Sequence, residues 1–362
     1  MGPRLETENA SQASSSAIMA SPTSPDALTT LCKTIVSTKT LALRFEAAIQ
    51  NPTPDALLNI PPNPPNPLAL LADGARILKA QTTKLSLLVL NQPFTPSETT
   101  YILKELCKGC LPAMMTAAEI CPADKYTNYL HRLIRASVGS SMLVLIKLLG
   151  EIPVDGHSVR DSERGTLQYT GQLWESCDFM INLAEKGLTS YAAVKVTEYK
   201  ELVDDALEEL EEWVTEVPDD GEDSFGVPGI LVPHMNDTDR ACVKNVVKKL
   251  KLIGLLYPPL LKRRIRRFPE INGSTSPEQL PSSKQVGDMD TLIAYMQLFH
   301  EEMDSIAETL YTSGMGKEAD IRIGVIIDYA KKALAIIAQN WNGENDEFTA
   351  WSEKWLVKIK EP

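Results

Sequence analysis

The chain of 362 residues carries a formal net charge of −12, with 43% hydrophobic, 23% charged and 6% aromatic residues. This length is sufficient for two domains with a buried core, and the acidic balance argues against unspecific binding to nucleic acid or to an anionic membrane. No apolar run approaches the roughly 18 residues that a membrane-spanning helix needs, and the Ser-rich residues 1–25 lack the apolar core of a signal peptide. We therefore expect a cytosolic or nuclear protein with a disordered tail over residues 1–25.

Helical periodicity dominates the first half of the chain. Asp26 is a good N-cap for a first helix that ends near Gln50, and the closely spaced prolines of residues 51–67 predict a stiff, exposed linker. A ligand for a proline-binding domain is the alternative interpretation of this linker. Three further helices are expected over Leu68–Leu90, Ser97–Ile120 and Ala123–Ile152. Pro112 should bend the second of these three.

A fifth helix should end at Lys186 and Gly187, since glycine is favoured just beyond helix C-termini. The sixth, from Leu188 to Val217, contains neither Gly nor Pro and would be roughly 45 Å long, enough to join two bundles. Its apolar residues recur at steps of three and four and therefore share one side. These are Ala192, Val196, Tyr199, Val203, Ala206, Leu210, Trp213 and Val217.

The outer side of this sixth helix is acidic. Between Glu198 and Glu216 there are nine carboxylates and a single lysine, Lys200. A solvated helix face explains the pattern most simply, and a surface that binds a basic partner is the alternative.

The Pro- and Asp-rich residues 218–236 mark a boundary, after which four more helices are expected. Because amphipathic helices must bury their apolar sides against one another, the sequence predicts an all-α fold of about ten helices. Residues 26–217 would form one bundle and residues 237–362 a second, four-helix bundle, joined by the long acidic helix. The predicted apolar residues of the last three helices are Leu292, Met296, Phe299, Met303, Ile306 and Leu310, then Ile323, Ile327, Ala330, Leu334, Ile337 and Trp341, then Phe348, Trp351, Trp355 and Ile359.

Motifs for catalysis or cofactor binding are weak. Cys107 and Cys110 form a CxxC, with Cys121 and His131 as conceivable further zinc ligands, but both lie within a helical pattern and no second CxxC follows. Small buried thiols are the alternative, and without secretory features the six cysteines should be reduced. We therefore expect no catalytic residues, no metal and no cofactor.

A basic segment runs from Arg240 to Arg267, with ten basic residues and no acidic one. Its densest part is the cluster Lys262, Arg263, Arg264, Arg266 and Arg267. A nuclear-import signal, a nucleic-acid contact and an internally paired surface all fit this composition. In the third case the basic seventh helix would lie against the acidic sixth.

The segment LWESCDFMINLAEKGLTSYAAVKVTEYKELVDDALEELEE resembles the matching part of the cyclin-D-binding protein family, also called GCIP, for Grap- and cyclin-D-interacting protein. The similarity continues through DMDTLIAYMQLFHEEMDSIAETLY and IRIGVIIDYAKKALAIIAQN, and the proline-rich N-terminal part marks a divergent member. The resemblance implies a helical adaptor in cytoplasm and nucleus that binds D-type cyclins and helix-loop-helix or signalling proteins. Such an adaptor would restrain cell-cycle progression and transcription.

The expected function is therefore protein binding, with a partner helix or basic segment docked on a bundle groove or on the acidic face. The candidate contacts are Glu201, Asp205, Glu208, Glu209 and Glu212. Two alternatives fit the same pattern. One is an acidic escort for a basic nuclear or ribosomal protein, and the other is a structural bundle protein similar to vinculin or talin.

Overall fold

The computed structural model describes residues 25–51, 63–91, 93–154, 159–216, 237–313 and 317–361. The predicted tail, apart from Pro25, most of the proline-rich linker and the 218–236 boundary lie outside these ranges. The described residues form α-helices and short 3-10 turns without a strand, which confirms the all-α class. The helices are α1 (Pro25–Gln50), α2 (Pro67–Leu90), α3 (Pro96–Lys108), α4 (Cys110–Glu119), α5 (Ala123–Tyr126), α6 (Asn128–Leu148), α7 (Val159–Glu216), α8 (Asp237–Gly254), α9 (Tyr257–Arg263), α10 (Ser283–Ser313), α11 (Lys317–Ile336) and α12 (Glu347–Lys358).

Helix α7 packs against helices from both halves of the chain. Its first part contacts α2 and α6, and its second part contacts α8, α9 and α10. Helices α1, α3 and α4 complete the packing on the side of α2 and α6, and α11 packs against α10. The buried apolar side chains, from Leu31 in α1 to Ile359 after α12, form one contiguous core.

Two predicted helices are divided at positions that proline explains. Helix α3 ends at Lys108, four residues before Pro112, and α8 ends at Gly254, four residues before Pro258. A proline ring clashes with the carbonyl four residues earlier and cannot donate a hydrogen bond to it. The chain therefore breaks there and places each proline in the first turn of the next helix, so the predicted bend at Pro112 was wrong.

The predicted helix Ala123–Ile152 is also interrupted, at Thr127, which has a φ of 69°. The Thr127 side chain accepts a hydrogen bond from the Leu130 amide at 3.1 Å. From α10, the Asp290 carboxylate accepts hydrogen bonds from the amides of Asn128 at 2.6 Å and Tyr129 at 3.1 Å. These acceptors satisfy the free amides at the start of α6, and a carboxylate there also interacts favourably with the helix dipole.

The predicted helix end at Gly187 is present as a kink inside α7. Gly187 has a φ of 73° and a ψ of −177°, which interrupts the hydrogen-bonding pattern of the helix. Residues 270–273 fill the break. The Leu188 amide donates to the Ile271 carbonyl at 2.9 Å, and the Gly273 amide donates to the Ala184 carbonyl at 2.7 Å. Both groups of α7 would otherwise lack partners, so this loop satisfies both sides of the kink.

The same loop is fastened to the start of α2. The Asn66 side-chain amide donates to the carbonyls of Asn272 at 2.9 Å and Thr275 at 2.8 Å. The side-chain oxygen of Asn66 caps α2 by accepting from the amides of Leu68 and Ala69. The loop thus connects α7 to the start of α2, although Asn66 and Asn272 are 206 residues apart in the sequence.

The apolar pattern of α10 is confirmed, because all six residues predicted for it are fully buried. Among the last predicted positions, Phe348, Trp355 and Ile359 are buried, and Trp351 is half-buried against the core. Trp341 lies outside α11, which ends at Ile336 because the chain turns between Asn340 and Gly343. Its indole nitrogen instead donates to the Arg264 carbonyl at 2.8 Å.

Replacing Gly187 with Ala should lower the free energy of unfolding by about 2 kcal/mol or more. The positive φ disfavours any side chain, and a Cβ atom there would lie 2.8 Å from the Ile271 carbonyl oxygen and against the Glu270 carboxylate. Urea unfolding followed by circular dichroism measures the loss. Gly171→Ala is the matched control, since Gly171 lies in the same helix with open space at its Cβ position and should gain up to about 1 kcal/mol. Equal effects of the two substitutions would contradict the role of the kink.

Candidate binding surface

The predicted acidic contacts lie on one exposed side of α7. Glu201, Asp205, Glu208 and Glu212 follow one another at steps of four, three and four residues, and Glu209 lies beside them. All five are exposed. We call these five residues the acidic stripe. The sequence predicted an exposed acidic side at these residues, and their contact with a partner stays a prediction.

The stripe is exposed because α7 buries its other sides against two helices. Toward α10, the Tyr199 hydroxyl donates to the Gln297 side chain at 3.3 Å, and the Trp213 and Tyr311 rings meet edge to face at 5.1 Å. Toward α8, Leu207 lies against Gly254. Because α8 also packs against α7, the buried side of α7 is broader than the row of apolar residues that the sequence predicted. Leu207 and Val214 are therefore buried, whereas the predicted Ala206 and Trp213 are half-buried.

The basic helix α8 lies against the acidic helix, as one of the sequence interpretations anticipated. Lys251 forms an ion pair with Glu211, and an Arg240 guanidinium nitrogen donates to the Val214 carbonyl at 3.1 Å. Within α7, Lys200 pairs with Asp204. The carboxylates that flank the stripe thus have cationic partners within the protein, and the five stripe residues face solvent.

A shallow groove of about 560 Å³ extends the stripe toward the Gly187 kink. Ser190, Val194 and Thr197 line it and keep the same steps of four and three that lead to Glu201. Arg266 forms part of the opposite side. Val194 is 58% exposed, so it offers a partner an apolar contact beside the carboxylates. The apolar pattern alone did not reveal this groove, although the position of Val194 outside the apolar seam was a usable signal.

The predicted basic cluster is divided by the fold. Arg264 is fully buried, and its guanidinium forms two hydrogen bonds with the Asp346 carboxylate, at 2.7 and 3.0 Å. It also donates to the Ile337 carbonyl at 2.8 Å and lies 4.4 Å from the centre of the Phe348 ring. Arg263 pairs with Glu347, and Lys262, Arg266 and Arg267 are exposed. Arg264 is therefore part of the core and not part of any surface that an import receptor or nucleic acid could contact.

The cysteine positions do not converge. Cys107 and Cys110 lie on either side of the α3–α4 break, and Cys107 contacts the Thr38 hydroxyl at 3.3 Å. Burial raises the pKa of the Cys110 thiol to about 12 and raises the pKa of the Cys121 thiol as well, which keeps both protonated. The His131 ring nitrogen Nδ1 is hydrogen-bonded to the Cys121 carbonyl at 2.8 Å. Within the described ranges, no three His, Cys, Asp or Glu side chains are grouped as metal ligands would be.

None of the helices in the described part of the chain combines the length and the apolar character required to cross a bilayer. The described helices define an all-α bundle protein, which carries the acidic stripe and the adjoining groove on its surface.

Comparison with known proteins gives a family match and two relatives. Residues 70–216, which run from α2 to the end of α7, match the family model described as Grap2 and cyclin-D-interacting, N-terminal. An uncharacterized protein of Schizosaccharomyces pombe is 23% identical over 303 residues, covering 80% of this chain and 83% of the relative. The cyclin-D1-binding protein 1 homolog of Xenopus laevis is 22% identical over 290 residues, covering 74% of this chain and 78% of that protein. The resemblance to the cyclin-D-interacting family that was drawn from the sequence is thus confirmed over residues 70–216.

Replacing Asp346 with Asn should cost about 3 kcal/mol of stability near neutral pH, because it leaves the Arg264 charge buried without its partner. The hydrogen bonds from Arg264 lower the pKa of Asp346 to about 2, against an ordinary value of 3.8. The contribution of the carboxylate is therefore fully present above pH 3.8 and is lost as pH falls toward 2. Urea unfolding at several pH values should show the difference between wild type and variant shrinking over that interval.

The matched control is Asp328→Asn, which removes an exposed ion pair with Lys332. Such surface pairs contribute between zero and about 1 kcal/mol. A cost for Asp346→Asn no larger than that of the control would contradict the structural role of the buried pair.

Proposed function

We propose that this protein is an adaptor that binds a regulatory partner protein of the cyclin-D type through the acidic stripe and the adjoining groove. The observation that carries the proposal is the continuity of an exposed carboxylate row with a groove that contains Val194. The stripe lies within residues 70–216, the part of the chain that matches the family model. A cyclin-type partner is suggested by the family description and by the name of the Xenopus laevis relative.

The chemistry of the surface sets what the partner should offer. Four carboxylates in one row attract a segment rich in Lys or Arg, and this attraction increases the association rate and selects against acidic partners. The exposed Val194 side chain and the small side chains beside it would accept an apolar residue of the same segment. An adaptor of this kind acts by occupying the partner, without catalysis. Its work in cell-cycle and transcription control would take place in cytoplasm and nucleus.

An acidic escort for a basic nuclear or ribosomal protein is the second candidate, since the same stripe would serve it. The two functions differ in salt dependence. An escort held by charge alone should release its client as ionic strength rises, whereas a partner that also fills the groove should be retained.

Replacing Asp205, Glu208 and Glu212 with Lys should weaken capture of a D-type cyclin by at least about ten-fold. These side chains are exposed and face away from the core, so the variant should keep the circular dichroism spectrum and unfolding midpoint of wild type. Binding of the purified proteins is measured by biolayer interferometry at low and at high salt.

The control variant replaces Glu175, Asp320 and Glu353 with Lys, an equal charge change at exposed positions outside the stripe. It should bind cyclin within about two-fold of wild type. Equal weakening in both variants would indicate a general charge effect, and unchanged binding in the stripe variant would refute the proposed surface.

A further inference from the structure

A second groove, of about 660 Å³, lies between the C-terminal part of α2 and helix α3. Two large apolar side chains are open to solvent in it, Leu87 at 54% and Tyr101 at 65% exposure. Aromatic and aliphatic side chains exposed together in a concave surface are typical of protein-binding sites. Neither residue belongs to the acidic stripe, so the groove is a separate feature of the molecule.

The groove is built on buried parts of both helices. Leu85 and Val89 of α2, and Leu103 and Leu106 of α3, are buried in the core directly beside the lining residues. The same helices therefore hold the exposed side chains in place, and little order has to be created when a partner binds. A surface that exists before binding loses less conformational entropy on association.

Each side of the groove is a row of residues on one helix. On α3 the row is Glu98, Tyr101 and Glu105, at steps of three and four. On α2 the row runs from Gln81 through Lys84, Leu87 and Leu88 to Asn91, the residue that follows the helix. The two sides thus carry opposite charges around a common apolar centre.

The charges on these rows are accessible to a partner. Lys84 and Glu98 are exposed. Glu105 lies 3.7 Å from the Lys108 ammonium, whose side chain is 74% exposed. Surface pairs of this kind contribute little stability, so a cation of the partner can replace Lys108 at small cost.

The geometry favours a helix as the occupant. Both sides of the groove are α-helices whose backbone groups are already hydrogen-bonded, so a partner cannot bind by adding a strand and must use side chains. At about 1.5 Å per residue, the lining parts of α2 and α3 extend over roughly 12 to 15 Å, which corresponds to two or three turns of a bound helix.

We propose that this groove binds a short amphipathic α-helix of another protein. Its apolar residues, spaced three and four apart, would contact Leu87 and Tyr101. Two basic residues seven apart on one edge would face Glu98 and Glu105, and an acidic residue on the other edge would face Lys84. The protein would then hold two partners at once, one on this groove and one on the acidic stripe.

A synthetic, helix-promoting peptide of about twelve residues with that pattern is the probe, and its binding to the full chain is measured by fluorescence anisotropy. Tyr101→Ala should weaken binding by at least about ten-fold, as expected for an aromatic residue at the centre of an interface. Ile321→Ala, which removes an apolar side chain that is 66% exposed on α11, should leave the affinity unchanged. Replacing Glu98 and Glu105 with Lys should abolish binding of this peptide. The same variant should bind a second peptide in which the two basic residues are replaced with glutamate.

Three results would overturn the proposal. A scrambled peptide of the same composition could bind equally well, Tyr101→Ala could leave the affinity unchanged, or the probe could fail to bind below about 1 mM. Analytical ultracentrifugation tests whether a second copy of this chain occupies the groove instead. Self-association of the wild-type protein that is lost in Tyr101→Ala would assign the groove to that second copy and would also overturn the proposal. Cyclin capture by the acidic stripe is measured separately, so failure here leaves the proposed function standing.

Discussion

The insertion of residues 270–273 into the kink of α7 is the interaction on which the rest of the structure depends. A helix that stops and restarts leaves carbonyl and amide groups without partners, and burying such groups costs free energy. The Ile271 carbonyl and the Gly273 amide satisfy one group on each side of the kink. Only the positive φ of Gly187 and the absence of its side chain make room for this loop.

The segment that supports the kink also shapes the candidate binding surface. This segment comprises residues 264–273. Its first residue, Arg264, is held in the core by the ion pair with Asp346. Arg266 then forms one side of the groove, and residues 270–273 close the kink. The Thr189 hydroxyl lines the same groove and donates to the Glu270 carboxylate. The direction of the acidic part of α7 and the shape of its groove are thus set by one short stretch of chain.

Local periodicity was sufficient to predict the helices, because an apolar residue every three or four positions specifies a buried side whatever it packs against. The seam of α10 shows this, with every predicted residue buried. Contacts between elements that are distant in the sequence could not be predicted from the same periodicity. Nothing in the pattern around Thr127 indicates that Asp290 will cap α6, and nothing around Arg264 distinguishes this buried cation from the basic residues beside it. The acidic stripe was predictable since it needs only one helix, whereas both grooves required knowledge of the facing elements.

Hydrogen–deuterium exchange of the protein, free and bound to a D-type cyclin, tests the central claim most directly. A partner that lies along the stripe should slow exchange of backbone amides between residues 190 and 212, with little change in α11 and α12. Protection confined to other helices, with the second part of α7 unchanged, would contradict the assignment of the acidic stripe as the binding surface.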